Sequence, residues 1–316
     1  MGYQERDWEI VDYHYYFLED TGLKSRGPAP ENLKKDEYFV CIGAAQTFGC
    51  FCEKPYPTLL QEKLKIPALN LGYAGPGPYF FLKNKKLFRY INNAKFAIIQ
   101  VMSGRSESNS LFDSGGLEYL TRLSDGTKVG AGAAYRELLE ENLRWWKLPF
   151  GQRYIRRIVA LFGQRNVKNI VNETRYNYVN NFKRLLEEIK VFKILFWFSK
   201  RKTEYKENYT SVGSLFGAFP DLVNSNMINE IKKYSDEYIE CISGRGSPQL
   251  LISRFTGKPT TIDPSDARKD LGSGKRWTHN PYYPSPEMHI DAANTLEPVC
   301  RKYLDGVARG GTSFVV

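Results

Sequence analysis

The sequence predicts a flavodoxin-like three-layer α/β/α fold with a parallel sheet, on three observations. Short, continuous apolar runs rich in β-branched and aromatic residues recur along the chain, helix-like stretches separate them, and the first run closes in a small-residue turn, Gly43-Ala-Ala-Gln-Thr-Phe-Gly49. Runs of this kind belong to parallel strands covered on both faces. Ligands of such sheets sit outside the carboxyl ends of the strands, which makes the loop 43–49 the first candidate edge of an active site.

Residues 1–36, rich in Tyr, Asp and Glu and closing near Gly27-Pro-Ala-Pro30, read as an N-terminal arm. The run 38–42 gives the first strand, and Tyr56-Pro-Thr-Leu-Leu60 opens a helix. A second strand is expected over 67–72, then a helix over 79–93 and the clearest strand over 95–102. From 111 to 174 the rhythm breaks, with helical stretches at 133–148 and 152–162, and is read as an inserted helical cap. It resumes with a helix over 176–190, a strand over 192–198, a helix over 227–234, a strand over 237–242 and a terminal helix over 286–304. The α/β domain is therefore expected over 37–110 and 175–305, with a C-terminal tail over 306–316.

A chain of 316 residues with 42% apolar and 14% aromatic content buries a substantial core, and disorder is excluded. Its formal charge of +10 favours an anionic ligand or surface. Five cysteines without Cys-x-x-Cys or zinc spacing read as reduced thiols, and no metal site is expected. No run is long enough to span a bilayer, so a cytoplasmic protein is expected. The cap's basic helix, with Arg153, Arg156, Arg157, Arg165 and Lys168 among apolar residues, suits peripheral contact with a membrane surface or acidic polymer. Nucleic acid is the weaker partner, because basic residues gather at strand ends more than along a continuous stripe.

Three strands end alike, in Ser103-Gly-Arg105, Ser199-Lys-Arg201 and Ser243-Gly-Arg245. Parallel strands deliver these hydroxyls and guanidinium forks to one rim, which with Lys200 reads as an anion site. Of three histidines, His14 reads as packing and His279 lacks an evident partner. His289, at the start of the last helix, is the candidate general base.

These blocks resemble SGNH (GDSL-type) hydrolases. The loop 43–49 is similar to Gly-Asp-Ser-x-Thr-x-Gly, with Ala44 for the Asp and Ala45 for the nucleophilic Ser. Asn70-Leu-Gly72 through Gly75 resembles the second block, whose glycine lends an oxyanion-hole amide. Gly104-Arg-Ser-Glu107 falls at Gly-x-Asn-Asp, with Ser106 for the Asn. His289 resembles the catalytic His, with Pro286 at its partner Asp. The resemblance covers most of 37–305 and implies an SGNH-like fold; an uncharacterised bacterial family of the same layout is also similar.

Ala45 has no oxygen to attack an ester, which closes the acyl-enzyme route, and Thr47 and Cys50 lie off the elbow that presents a nucleophile. The residues that remain suit direct transfer from an anionic nucleotide donor, best of all sulfuryl transfer from PAPS to a saccharide hydroxyl. His289 would take the acceptor proton, with Arg105 and Ser103 at the moving group. Gly43, Gln46, Thr47, Ser106, Ser108, Ser199, Lys200, Arg201, Ser243 and Arg245 are the expected donor-binding residues. Acyl transfer from CoA to a polysaccharide, and a non-catalytic module binding an anionic glycan or nucleotide, are the alternatives. Trp197, Trp277, Tyr282 and Tyr283 offer flat faces to a saccharide acceptor.

Overall fold

The computed structural model describes residues 3–31, 33–144, 153–263 and 276–309. Helix α1 (Tyr3–Asp7) and the hairpin β1 (Tyr16–Leu18) and β2 (Leu23–Ser25) form an arm ahead of β3 (Phe39–Gly43), α2 (Ala45–Phe48) and α3 (Tyr56–Leu64). Next come β4 (Ala68–Gly72), α4 (Pro78–Lys83), α5 (Leu87–Asn92) and β5 (Phe96–Gln100). The small strands β6 (Phe112–Asp113), β7 (Tyr119–Arg122) and β8 (Lys128–Gly130) precede α6 (Ala131–Arg144) and α7 (Arg153–Glu188). The chain continues through β9 (Phe192–Ser199), α8 (Val212–Phe216), α9 (Ser225–Ile231) and β10 (Glu237–Ile242). The last elements are β11 (Gln249–Leu250), β12 (His279–Asn280) and α10 (Pro286–Arg309).

Strands β4, β3, β5, β9 and β10 lie side by side in that order, all parallel. Counted along the chain this is the order 2-1-3-4-5, whose reversal between β3 and β5 opens a crevice at the carboxyl ends. Successive side chains of a strand point to opposite faces. Val40, Ile42, Ile99 and Trp197 therefore pack with Tyr178 and Leu185 of α7 on one side, and Phe39, Cys41, Ile98 and Phe196 pack with Leu60 of α3 and Leu296 of α10 on the other. The result is a three-layer α/β/α architecture around a parallel sheet. Two glycines set its closest approach: a Cβ on Gly43 would stand 2.2 Å from Thr47 Oγ1, and one on Gly72 2.1 Å from the Phe48 amide nitrogen. Short α2 can lie against β4 only because both side chains are missing.

Some elements differ from expectation. The helix expected over 79–93 is two, α4 and α5, because the Asn84 amide folds back onto the Phe80 carbonyl at 2.8 Å and ends the first. The segment after 111 holds the antiparallel sheet β6-β7-β8, whose strands of two to four residues are too short to show a period. Helix α7 runs unbroken past residue 174, joining the helices expected at 152–162 and 176–190. The side chains of Arg153, Arg156 and Arg157 lie outside the described residues, as do 145–148 of the expected cap helix and the tail beyond 309.

The arm is fastened by Arg26. Its guanidinium donates to four carbonyls in the turn after α2, those of Phe48 (3.0 Å), Gly49 (2.7 Å), Cys52 (2.7 Å) and Glu53 (2.8 Å). It lies 4.9 Å from the Tyr13 ring centroid and 5.4 Å from that of Phe48. Burial holds it below the ordinary arginine pKa, so its charge is retained by hydrogen bonding and the rings alone among the described residues. Arg26→Ala strands those carbonyls and is expected to cost about 3 kcal/mol or more in urea denaturation; Arg26→Lys, with a point charge in place of a fork, recovers only part of it.

Candidate functional site

The three Ser-x-Arg tips fold into one recurrent turn. Each serine hydroxyl accepts from the backbone N–H of the arginine two residues on, at 3.4 Å for Arg105, 3.0 Å for Arg201 and 3.3 Å for Arg245. Each hydroxyl also donates onward: Ser103 to Asp221 at 2.9 Å, Ser199 to the Phe219 carbonyl at 2.6 Å, and Ser243 to Asp291 at 2.6 Å. The repeated pattern is thus a hydroxyl-closed turn that ends a strand.

All three guanidiniums are occupied, Arg105 in the interior, Arg201 half-buried and Arg245 at the surface. Arg105 donates to Glu118 at 2.6 Å and Tyr282 Oη at 3.3 Å, and pairs with Asp221 at 3.4 Å. Arg245 grips Asp291 at 2.6 Å. Arg201, stacked between Trp197 and Tyr205, donates to the carbonyls of Ala218, Pro220 and Val223 at 2.8, 2.7 and 2.7 Å. Carboxylates and carbonyls therefore fill the positions expected for an anionic donor. The other expected donor residues are likewise internal: Ser106 donates to the Gly75 carbonyl at 2.9 Å, and Ser108 to Asp113 at 3.0 Å. Thr47 lies between Gln100 at 2.8 Å and Tyr56 Oη at 3.0 Å. Gln100, missed in the sequence, ties the first loop to β5, its Oε1 also accepting from Ala44 N at 2.9 Å. The one signal for it was a long polar side chain closing an apolar strand.

His289 is fully buried, and its Nδ1 accepts from the Tyr56 backbone N–H at 3.2 Å. The hydrogen of the neutral ring is consequently on Nε2, which has no hydrogen-bond partner. That tautomer is a donor where a general base needs an acceptor. Burial, reinforced by the Arg26 charge, lowers the imidazole to about 3, so it stays neutral near pH 7. The expected base role is corrected on both grounds. At the nucleophile's position, Ala45 packs in an apolar cluster with Tyr13, Phe48, Phe51 and Tyr283, covered by the arm.

What remains open at the rim is a cavity of about 360 Å³. Gln46 follows β3, Arg105 follows β5, and Phe198, Ser199 and Lys200 lie at the end of β9, while Gly132 and Arg136 of α6, the segment from Val212 to Asp221, the turn at Pro281, Tyr282 and Pro284, and Met288 of α10 complete the wall. Lys200 donates to Ser247 Oγ at 2.5 Å and the Pro281 carbonyl at 2.8 Å, with no carboxylate partner among the described residues, and burial lowers its pKa. Of the four aromatics expected to face a saccharide only Tyr282 lines this cavity; Trp197 and Tyr283 are buried, and Trp277 packs against the arm cluster. Among the described residues no group of three His, Cys, Asp or Glu side chains is arranged to hold a metal ion, and no helix is long and apolar enough to cross a membrane.

A family model described as a domain of unknown function, DUF6473, matches residues 1–114. No curated protein matches the chain. Solved structures similar to it include a catalytic mutant of Axe2, an acetylxylan esterase from Geobacillus stearothermophilus, at 11% identity over 85% of this chain and 95% of that one, with a TM-score of 0.37. A family 2 carbohydrate esterase with a carbohydrate-binding domain from Myceliophthora fergusii is 9% identical over 90% of this chain and 71% of that one, with a TM-score of 0.38. A putative G-D-S-L lipolytic protein from Desulfitobacterium hafniense is 13% identical over 84% and 99%, with a TM-score of 0.32. Identities this low bear on the fold and not on the chemistry. The expected sulfotransferase-type transferase using PAPS is corrected: the similar solved structures include no sulfotransferase among those named above, and the guanidinium forks expected to hold the donor are already engaged within this chain.

Two titrations follow. The folded His289 favours its neutral form, so its stabilising contribution is complete above the ordinary value of 6.5 and is lost as the pH falls toward about 3. A ring-carbon NMR titration should show no inflection for it between about pH 5 and 8. Glu107, buried after the turn that follows β5, behaves oppositely: burial, against the pull of Asn181, raises its carboxyl from 4.5 to about 7. Its contribution is present below 4.5 and lost as the pH rises through about 7, a slope worth about 3 kcal/mol that Glu107→Gln should abolish in urea midpoints compared at pH 5 and 8.

Proposed function

We propose that the rim cavity binds a saccharide carrying an acyl or similarly apolar substituent. The observation that supports this is the division of its wall. Phe198, Phe216, Phe219, Pro281, Pro284 and Met288 present apolar surface, while Gln46, Arg136, Lys200 and Tyr282 offer separate polar points beside the mutually paired Arg105 and Asp221. Sites of this size combine an apolar lining with a few directing polar groups. The substituent fills the apolar part, and a carbonyl or ring hydroxyl meets the ammonium and the amide. Acylated saccharides are also what the esterases above are named for, a likeness of fold only.

Covalent catalysis at the first loop is closed, since Ala45 carries no oxygen and Thr47 is bound in the interior. Cleavage of a bound ester would have to proceed by direct attack of water, with no acyl-enzyme and no burst.

The test is calorimetric titration with acetylated xylo-oligosaccharides and their deacetylated forms, with acetate release followed in parallel. The acetylated form should bind more tightly. Gly213→Phe plugs the cavity, because a Cβ there meets nothing within 4 Å, and is expected to weaken binding at least tenfold, about 1.4 kcal/mol. Equal binding of both forms, or no binding of either, would overturn the reading.

A further inference from the structure

A second pocket, of about 420 Å³, lies on the far side of the turn that carries Arg105. One wall is a face of α7, where Asn177, Asn180, Asn181 and Arg184 recur at spacings of three and four and so share one side of the helix. The opposing wall carries Glu107 and Ser108, with Tyr79 of α4 and Asp113 of β6 at the sides. Glu107 is 1% exposed, and its Oε2 accepts from Asn181 at 2.8 Å. The Glu107 carboxyl also draws on the backbone N–H of Tyr79 in the first turn of α4, so it both fixes that helix start and helps to line the pocket.

We propose that this pocket binds a neutral sugar ring through its hydroxyls. The wall supplies donors from Asn and Arg184 amid acceptors from Asn, Asp113 and Glu107, and a hydroxyl is both donor and acceptor at one atom. The Asp113 carboxylate opposes an inorganic or phosphorylated anion, and Arg184 opposes a metal ion. The Tyr79 ring offers a flat face for the C–H side of a pyranose. The apolar cavity is separate, with none of these residues in its wall, so the inference goes beyond the function proposed above.

The probe is an unacylated oligosaccharide, xylotetraose or cellotetraose, added at millimolar concentration to the full chain and followed by side-chain amide NMR. Saturable shifts are expected at Asn177, Asn180 and Asn181, lost in Asn180→Trp, which blocks the pocket, and weakened about tenfold in Glu107→Gln, which keeps the shape but exchanges an acceptor for a donor. Gly213→Phe, which plugs the other cavity, should leave them unchanged. No shift with either sugar, shifts that survive Asn180→Trp and Glu107→Gln, or shifts abolished by Gly213→Phe overturn the proposal. Dispersed amide spectra of the variants show that they are folded.

Discussion

The buried guanidinium of Arg26 is the constraint on which the rest of the rim depends. A cation taken out of water without a carboxylate depends on the hydrogen bonds it makes, and here four carbonyls at and after the end of α2 take both terminal nitrogens, only Nε being left without a partner. The turn is thereby fixed, and with it the start of α3, whose Tyr56 amide sets the His289 tautomer. The same positive charge adds to burial in keeping that imidazole neutral. One side chain of the arm thus shapes the loop and disarms the residue most like a catalytic base.

The strand tips follow a related logic. A serine that accepts from its own chain and donates to a distant partner ends each strand, and the arginine two residues on is drawn to a carboxylate or to carbonyls. Arg105 and Arg245 are paired with carboxylates and Arg201 is held by carbonyls, so none of the three forks is left open to a donor. Lys200 is left at the wall of a mostly apolar cavity, held by the Ser247 hydroxyl and the Pro281 carbonyl.

Much of the fold was legible because it is local. The runs around Val40, Ile98 and Phe196 read as buried parallel strands, and they are. Gly43 and Gly72 read as the ends of the first two strands, and the structure adds that a side chain at either would collide with α2. The sheet β6-β7-β8 was not legible, since strands of two to four residues show no period. The site was legible only as residue types. The Ser-x-Arg repeat was a real pattern with a different cause, closing strands where binding was expected, and Gln100 and Arg26 gave little signal because each works through backbone groups of other segments.

The sequence by itself determined the layers, the strand tips and the absence of an attacking oxygen at Ala45, since these depend on periodicity and on the chemistry of single residues. Tertiary structure alone decided what each polar group does. Ser103 meets Asp221 across 118 positions, and Tyr56 meets His289 across 233. A hydrogen bond or ion pair is short-ranged, so whether an arginine is free to bind and which imidazole nitrogen holds the proton are settled only when such distant groups come within about 3 Å.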